Sequence, residues 1–222
     1  RDEAGRRKAL DVLLPIQQSD FEGIYEVMKE LPVTVRYLDP PLHEFLPTQE
    51  HEMQELADDM SMTLAEIKEV VSSLHEFNPM MGHRGVRLSI SYPEIAEMQT
   101  KAVIRAALAV QKRLNIKVNP EIMIPLVGKV NELDYVKAVV DRVAKEEIAA
   151  SGQELNYTVG TMIEIPRACV TADKIAVSAD FFSFGTNDLT QYGFGFSRDD
   201  AANFLSDYYE KGVFEQDPFV RI

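Results

Sequence analysis

The stretch Asp180-Phe-Phe-Ser-Phe-Gly-Thr-Asn-Asp-Leu-Thr-Gln-Tyr192 concentrates groups able to do chemistry. A largely aromatic run stops at Gly185, and Thr186, Asn187 and Asp188 follow at once. A buried strand ending in an amide and a carboxylate is where an α/β protein keeps its site. The plain alternative is a strand that turns into a helix capped by Asp188. A second carboxylate, Glu164, stands near the end of the apolar stretch Tyr157-Thr-Val-Gly-Thr-Met-Ile-Glu-Ile165. In a parallel arrangement Glu164 and Asp188 share one face. Two converging carboxylates repel each other, so one pKa rises unless a divalent cation sits between them. Hard oxygen donors, with no thiolates and no histidine cluster, suit Mg²⁺ or Mn²⁺ completed by water and substrate. The alternative for Glu164 is an ion pair with an arginine.

Arg36 and Arg84 are the candidate anion clamps, because a guanidinium fork matches carboxylate or phosphate. Arg36 emerges from the strand-like Val33-Thr-Val-Arg-Tyr-Leu38; its alternative is a salt bridge to Asp39 or Glu44. Arg84 lies between Gly82 and Gly85, with Arg87 as the competing choice. Gly185 and Thr186 offer backbone N–H groups for an oxyanion. His43, His51, His75 and His83 lack metal-ligand spacing, and His83 reads as structural. Cys169 reads as a small buried hydrophobe, and Met80 and Met81 as core filler.

The elements that must position these groups alternate between strand and helix. Residues 1–14 suggest a helix stopped at Pro15, and Ser19-Asp-Phe-Glu22 suggests a capping box starting another. The prolines in 39–47 argue against a helix there. A helical insertion follows over 49–77, with a second capping box at Thr63-Leu-Ala-Glu66. Residues 78–85 form a turn-rich loop, 86–90 a possible strand, and Pro93 to Asn115 a helix. Residues 121–127 read as a buried strand, and Asn131 to Gly152 as a helix with Leu133, Val136, Val140 and Val143 on its apolar face. A short helix over 167–177 leads into the aromatic strand, and the tail is helical over 199–209. The later strands are apolar throughout, which argues for parallel pairing under outer helices. About five strand–helix units suggest a single α/β domain, 1–222, with the form of an incomplete TIM (β/α)8-type barrel lacking terminal strands, since a full barrel takes about 250 residues. No glycine-rich turn follows a first strand, which speaks against a doubly wound nucleotide fold.

Composition narrows the classes. The 222 residues are 45% apolar and 27% charged, with a formal net charge of −13. Such a surface repels polyanions, so nucleic acid is excluded as a partner. No apolar run is long enough for a membrane span. A lone cysteine rules out an internal disulfide framework and suits a reducing, cytoplasmic setting.

Ser183-Phe-Gly-Thr-Asn-Asp-Leu-Thr-Gln191, with Arg198 downstream, resembles the signature of the phosphoenolpyruvate-utilising enzymes, and Met162-Ile-Glu-Ile-Pro166 resembles their second metal-ligand strand. Val35 to Pro47 and Asn78 to Arg87 are similar to the dikinase branch of that family, rather than to phosphoenolpyruvate synthase or enzyme I of the sugar phosphotransferase system. The resemblance implies the C-terminal phosphoenolpyruvate/pyruvate barrel and Mg²⁺ as cofactor. It places the metal ligands on Glu164 and Asp188, the catalytic groups on Arg36, Arg84 and Asn187, and substrate contacts on those five together with Gly185 and Thr186. The implied reaction passes a phosphoryl group between a phosphohistidine on another domain and pyruvate enolate, giving phosphoenolpyruvate. A homodimer is implied as well. The family's first-strand arginine and its proton-handling cysteine have no counterpart in this sequence, so a fragment inactive by itself is expected. The competing readings are another phosphoenolpyruvate-linked transferase and a non-catalytic binding or dimerisation module.

Overall fold

The computed structural model describes residues 2–76 and 78–221. Four strands lie side by side in chain order: β1 (Pro32–Arg36), β2 (Asn119–Ile124), β3 (Thr158–Ile163) and β4 (Phe182–Phe184). Every neighbouring pair is parallel. Among the described residues the sheet is a curled, open half-barrel. The helices are α1 (Glu3–Met28), α2 (Glu50–Met60), α3 (Leu64–Leu74), α4 (Val86–Ser91), α5 (Pro93–Leu114), α6 (Val130–Ser151), α7 (Pro166–Val170), α8 (Ala172–Ile175), α9 (Thr186–Phe194) and α10 (Ala202–Glu210). None is long and apolar enough to cross a membrane.

The core forms where the strands meet α5 and α6. Ile122, Ile124, Val159 and Ile163 from the sheet join Val103, Ala106 and Ala107 of α5 and Leu133, Val136 and Val140 of α6. Helix α5 begins with Pro93, whose fixed φ suits a first turn, and stops at Asn115 in the left-handed conformation (φ 54°). Helix α6 starts two residues earlier than Asn131, at the cap Lys129, because Glu132 reaches back to the N–H groups of Gly128 and Lys129, both at 2.9 Å. Gly152 closes it with φ 66°.

The sequence expectations that fail do so for identifiable physical reasons. Pro15 does not stop a helix: α1 runs unbroken from the Asp2 cap to Met28 with the proline inside. Proline deletes one hydrogen bond and crowds the previous turn, but α1 is fastened along its length to α5. Arg6 pairs with Glu94 at 2.5 Å, Arg7 with Glu97 at 2.7 Å, and Arg113 with Glu22 at 3.2 Å and with Glu26. Glu22, assigned to a capping box, is used in that pairing. Residues 86–90 are helix α4, not a strand, so among the described residues four strand–helix units replace the expected five. The Gly85 N–H goes to the Asp39 carbonyl (3.1 Å) and the Val86 N–H to the Pro125 carbonyl (3.0 Å), which starts a helical turn. Finally, Leu42–Phe45 forms a 3-10 turn within the proline-rich segment, where the prolines flank it rather than interrupt it.

The insertion folds as α2 and α3, and the Thr63–Glu66 box forms as the sequence suggests. The Thr63 N–H donates to Glu66 Oε2 at 2.8 Å, and the Glu66 N–H donates back to Thr63 Oγ1 at 3.2 Å. Phe77, the last residue of the expected insertion, lies outside the described residues.

Candidate functional site

Parallel strands bring their C-terminal ends to one edge. Arg36 ends β1, Pro125 and Leu126 follow β2, Glu164 follows β3, and Gly185 follows β4. A cleft of about 800 Å³ opens beside this edge, lined by Asp39, Met80, Arg84, Asn187, Asp188 and Tyr192, among others.

Arg84 is the hub. Its side chain is nearly buried, with the residue 8% exposed. It donates from Nη2 to Asp39 Oδ2 (3.0 Å), from Nε to Asp39 Oδ1 (3.4 Å) and from Nη1 to the Met80 carbonyl (3.3 Å). Asp188 Oδ1 lies 3.5 Å from the same Nη2. Burial alone lowers the basicity of this guanidinium, yet Asp39, Asp188 and Glu164 together leave it raised. The loop that carries Arg84 is held by Gly85, which has φ 57°, a conformation that glycine adopts freely.

Arg36 meets this set through a shared partner. Its Nη1 stands 3.5 Å from Asp39 Oδ2, the oxygen that Arg84 also uses. The salt bridge to Asp39 raised as the alternative is therefore present. With 46% of its side chain exposed, Arg36 keeps free donors at the rim. It lines a neighbouring groove rather than the main cleft.

Glu164 is 1% exposed. Its Oε1 accepts the Leu126 N–H at 2.6 Å. Burial pushes its carboxyl up to about 7; the Leu126 N–H opposes this, the charges of Asp39 and Asp188 add to it, and Arg84 subtracts from it. The negative charge of Asp188 is thus felt at Glu164, though less than burial is. Gly185 lies directly against Glu164: a Cβ there would sit 2.5 Å from Glu164 Cβ and 3.0 Å from its Oε2, so only glycine fits. The N–H of Gly185 is already given to the Ile163 carbonyl at 3.0 Å and is not the oxyanion donor expected of it.

Gly185 is also the cap of α9. Thr186 is the first residue of that helix and is exposed; Asp188 sits in the first turn instead of capping it. Asn187 faces the cleft, and its Oδ1 accepts from Arg198 Nη1 at 3.0 Å. Arg198 can only donate, so the amide oxygen is taken and the NH₂ is the free end. Among the described residues no three or more His, Cys, Asp and Glu converge as a metal-binding group. His83 bonds Ser91 Oγ at 2.9 Å and packs on the Tyr92 ring, a structural role. Cys169 is exposed on α7 and not buried as expected, since a helix of one turn turns only Ala168 inward. Met80 and Met81 line the cleft instead of filling core, because their segment is a 3-10 turn at the rim.

Sequence reasoning missed Asp39 as a site residue, having placed it only as a partner for Arg36. It follows a strand end as Glu164 does, and the same rule would have found it. It also missed the Leu126 backbone N–H, which no residue type announces.

The model of a family described as the PEP-binding domain of PEP-utilising enzymes matches residues 3–214. This chain belongs to that family. The PEP-binding domain is 59% identical over 221 residues to pyruvate, phosphate dikinase of Rhizobium meliloti (strain 1021), covering all of this chain and 25% of the relative. It is 58% identical over 217 residues to the protein of that name from Clostridium symbiosum, covering 98% and 25%. The chloroplastic protein of Mesembryanthemum crystallinum is 53% identical over 216 residues, covering 96% and 23%. The chain therefore spans about a quarter of the length of these curated relatives. In this PEP-binding domain the conspicuous signature, 183–191, is the segment that brings Gly185, Asn187 and Asp188 to the strand ends.

Proposed function

We propose that this domain holds phosphoenolpyruvate and pyruvate at the strand ends of an incomplete TIM-type barrel, as part of a pyruvate, phosphate dikinase. The reaction is transfer of a phosphoryl group from a phosphohistidine on another domain to pyruvate enolate; overall, ATP, phosphate and pyruvate give AMP, diphosphate and phosphoenolpyruvate. The observation that carries the reading is the buried Glu164, coupled to Asp188 and Asp39 around Arg84 at the ends of parallel strands.

The donor set fits Mg²⁺. Three carboxylates surround one nearly buried arginine, and the site is short of positive charge. Glu164 and Asp188 would hold Mg²⁺ as oxygen ligands, with water and substrate completing the shell, as this ion commonly accepts. When bound, Mg²⁺ supplies positive charge against the substrate carboxylate and the enolate oxygen. The chain's own groups do the rest. Arg84, held rigid by Asp39, presents a fixed cation to the anionic substrate. Arg36 offers its exposed donors at the rim, where a phosphoryl group arrives. The NH₂ of Asn187 donates to an oxygen of that group as it passes, spreading its charge. Gly185 lets the substrate approach Glu164 without a side chain between them, and Thr186 offers the first free N–H of α9.

The test is Glu164→Ala and Asp188→Ala in the full-length enzyme. Both are expected to lose phosphoenolpyruvate formation and to shift its Mg²⁺ dependence. Activity equal to wild type at saturating and at limiting Mg²⁺ would remove the metal site and the reading with it.

A further inference from the structure

Leu126 stands in the left-handed region, with φ 65°. Side chains bearing a Cβ avoid that conformation, and a buried leucine has no local hydrogen bond to reward it. The turn is nevertheless held from three directions. The Pro125 carbonyl accepts the Val86 N–H at 3.0 Å, and the Gly85 N–H binds the Asp39 carbonyl at 3.1 Å. Gly85 itself lies so close that a Cβ on it would come within 2.8 Å of Leu126 Cβ, 3.2 Å of Asp39 Oδ1 and 3.2 Å of the Pro125 carbonyl oxygen. The product of this strain is one hydrogen bond, the Leu126 N–H to Glu164 Oε1 at 2.6 Å. The other oxygen, Oε2, lies on the Gly185 side, where Asp188 follows.

From this we infer that Gly85 and Leu126 are positioning residues for Glu164. The left-handed turn ties down Oε1, so that Oε2 alone faces Asp188 and the space between the two acids. Gly85 is required because any side chain there displaces the turn. The inference rests on the proposed metal site, and it adds to that site the device that orients its buried ligand. Partners behind a metal ligand commonly change affinity about 10- to 100-fold when lost.

The experiment compares Gly85→Ala with Gly152→Ala in the full-length protein. Gly152 also has a positive φ, 66°, but a Cβ there meets nothing within 4 Å. It imposes a positive-φ penalty away from the site, smaller than at Gly85, because Gly152 lies in the αL region (ψ 14°) and Gly85 does not (ψ −132°). Two readouts are taken: Mn²⁺ affinity, from the electron paramagnetic resonance signal of free ion, and the Leu126 N to Glu164 Oε1 contact in crystals of metal-free protein. Gly85→Ala is expected to lose the contact and to weaken Mn²⁺ binding about 10- to 100-fold, while Gly152→Ala does neither. If the two variants agree in both readouts, the inference is overturned. Should Gly85→Ala fail to fold, Leu126→Gly carries the test. It keeps the N–H and relieves the strain but frees the turn, and is expected to weaken Mn²⁺ about tenfold; unchanged affinity overturns the inference. A wild-type protein that binds no Mn²⁺ removes the metal reading by itself, and the contact in Gly85→Ala crystals then decides the positioning claim.

Discussion

Asp39→Ala removes the carboxylate that two arginines share. Arg84 would remain almost buried, with Asp188 at 3.5 Å and the Met80 carbonyl at 3.3 Å as its remaining close partners. Deleting one member of a buried ion pair costs about 3–5 kcal/mol, because the other charge is left without compensation. Since Asp188 stays in reach, we expect the lower end, about 3 kcal/mol. Arg84→Met is expected to cost a similar amount, because Asp39 is itself buried and Arg36 reaches it only at 3.5 Å. The double variant removes both charges together and leaves neither stranded. It should be less damaging than the sum of the singles by about 2 kcal/mol, well beyond the additivity error of about 0.5 kcal/mol. Urea denaturation of the four proteins, with unchanged slopes, reads the cycle directly. Strict additivity would mean that Asp39 and Arg84 do not act as a unit, and the account of the site's hub would be wrong.

The other predictions are these. Glu97 lies between Arg7 at 2.7 Å and Arg142 at 2.5 Å. Burial works against its ionised form, but the two ion pairs prevail and hold its carboxyl below the ordinary 4.5. A depressed folded-state value gives stability that is complete above the unfolded value and disappears as pH falls through the folded one. Glu97→Gln should therefore lower stability by about 1 kcal/mol near neutrality and by nothing in strong acid, as measured by denaturation against pH; an equal loss at both ends contradicts the pairing. Gly160→Ala puts a Cβ 2.4 Å from the Phe181 carbonyl oxygen and 2.6 Å from its ring, and should cost about 1–3 kcal/mol by thermal melting; a neutral result would mean that β3 and the approach to β4 pack more loosely than described. Both β1 and β4 border the sheet with a single partner each, and open edges invite association, so light scattering should report a homodimer, with a lone monomer counting against it.

Much of the site was legible because its residues announce themselves by type. A carboxylate closing an apolar strand, as Glu164 does, has few ordinary explanations, and Gly185 followed by three polar groups marks the end of another. The apolar face of α6 was equally plain, since its four leading positions recur at helical spacing and all are buried. What stayed hidden was backbone and context. Residues 86–90 alternate apolar and polar like a strand, yet carbonyls from Asp39 and Pro125, distant in sequence, nucleate a helix there. Pro15 obeys local rules only in isolation; packing against α5 overrides them. The role of Leu126 depends on a φ angle and one N–H, and nothing in the letter L conveys either.

The lacing of α1 to α5 joins start to start and end to end: Arg6 and Arg7 reach Glu94 and Glu97, while Glu22 and Glu26 reach Arg113. Sliding one helix by a few turns, or reversing it, would set like charges face to face. The same arrangement burdens α1 when it stands alone, because its terminal acids Glu22 and Glu26 oppose its own dipole and Pro15 withholds a hydrogen bond in its middle. A detached α1 is therefore a poor helix, one that depends on α5 for its order.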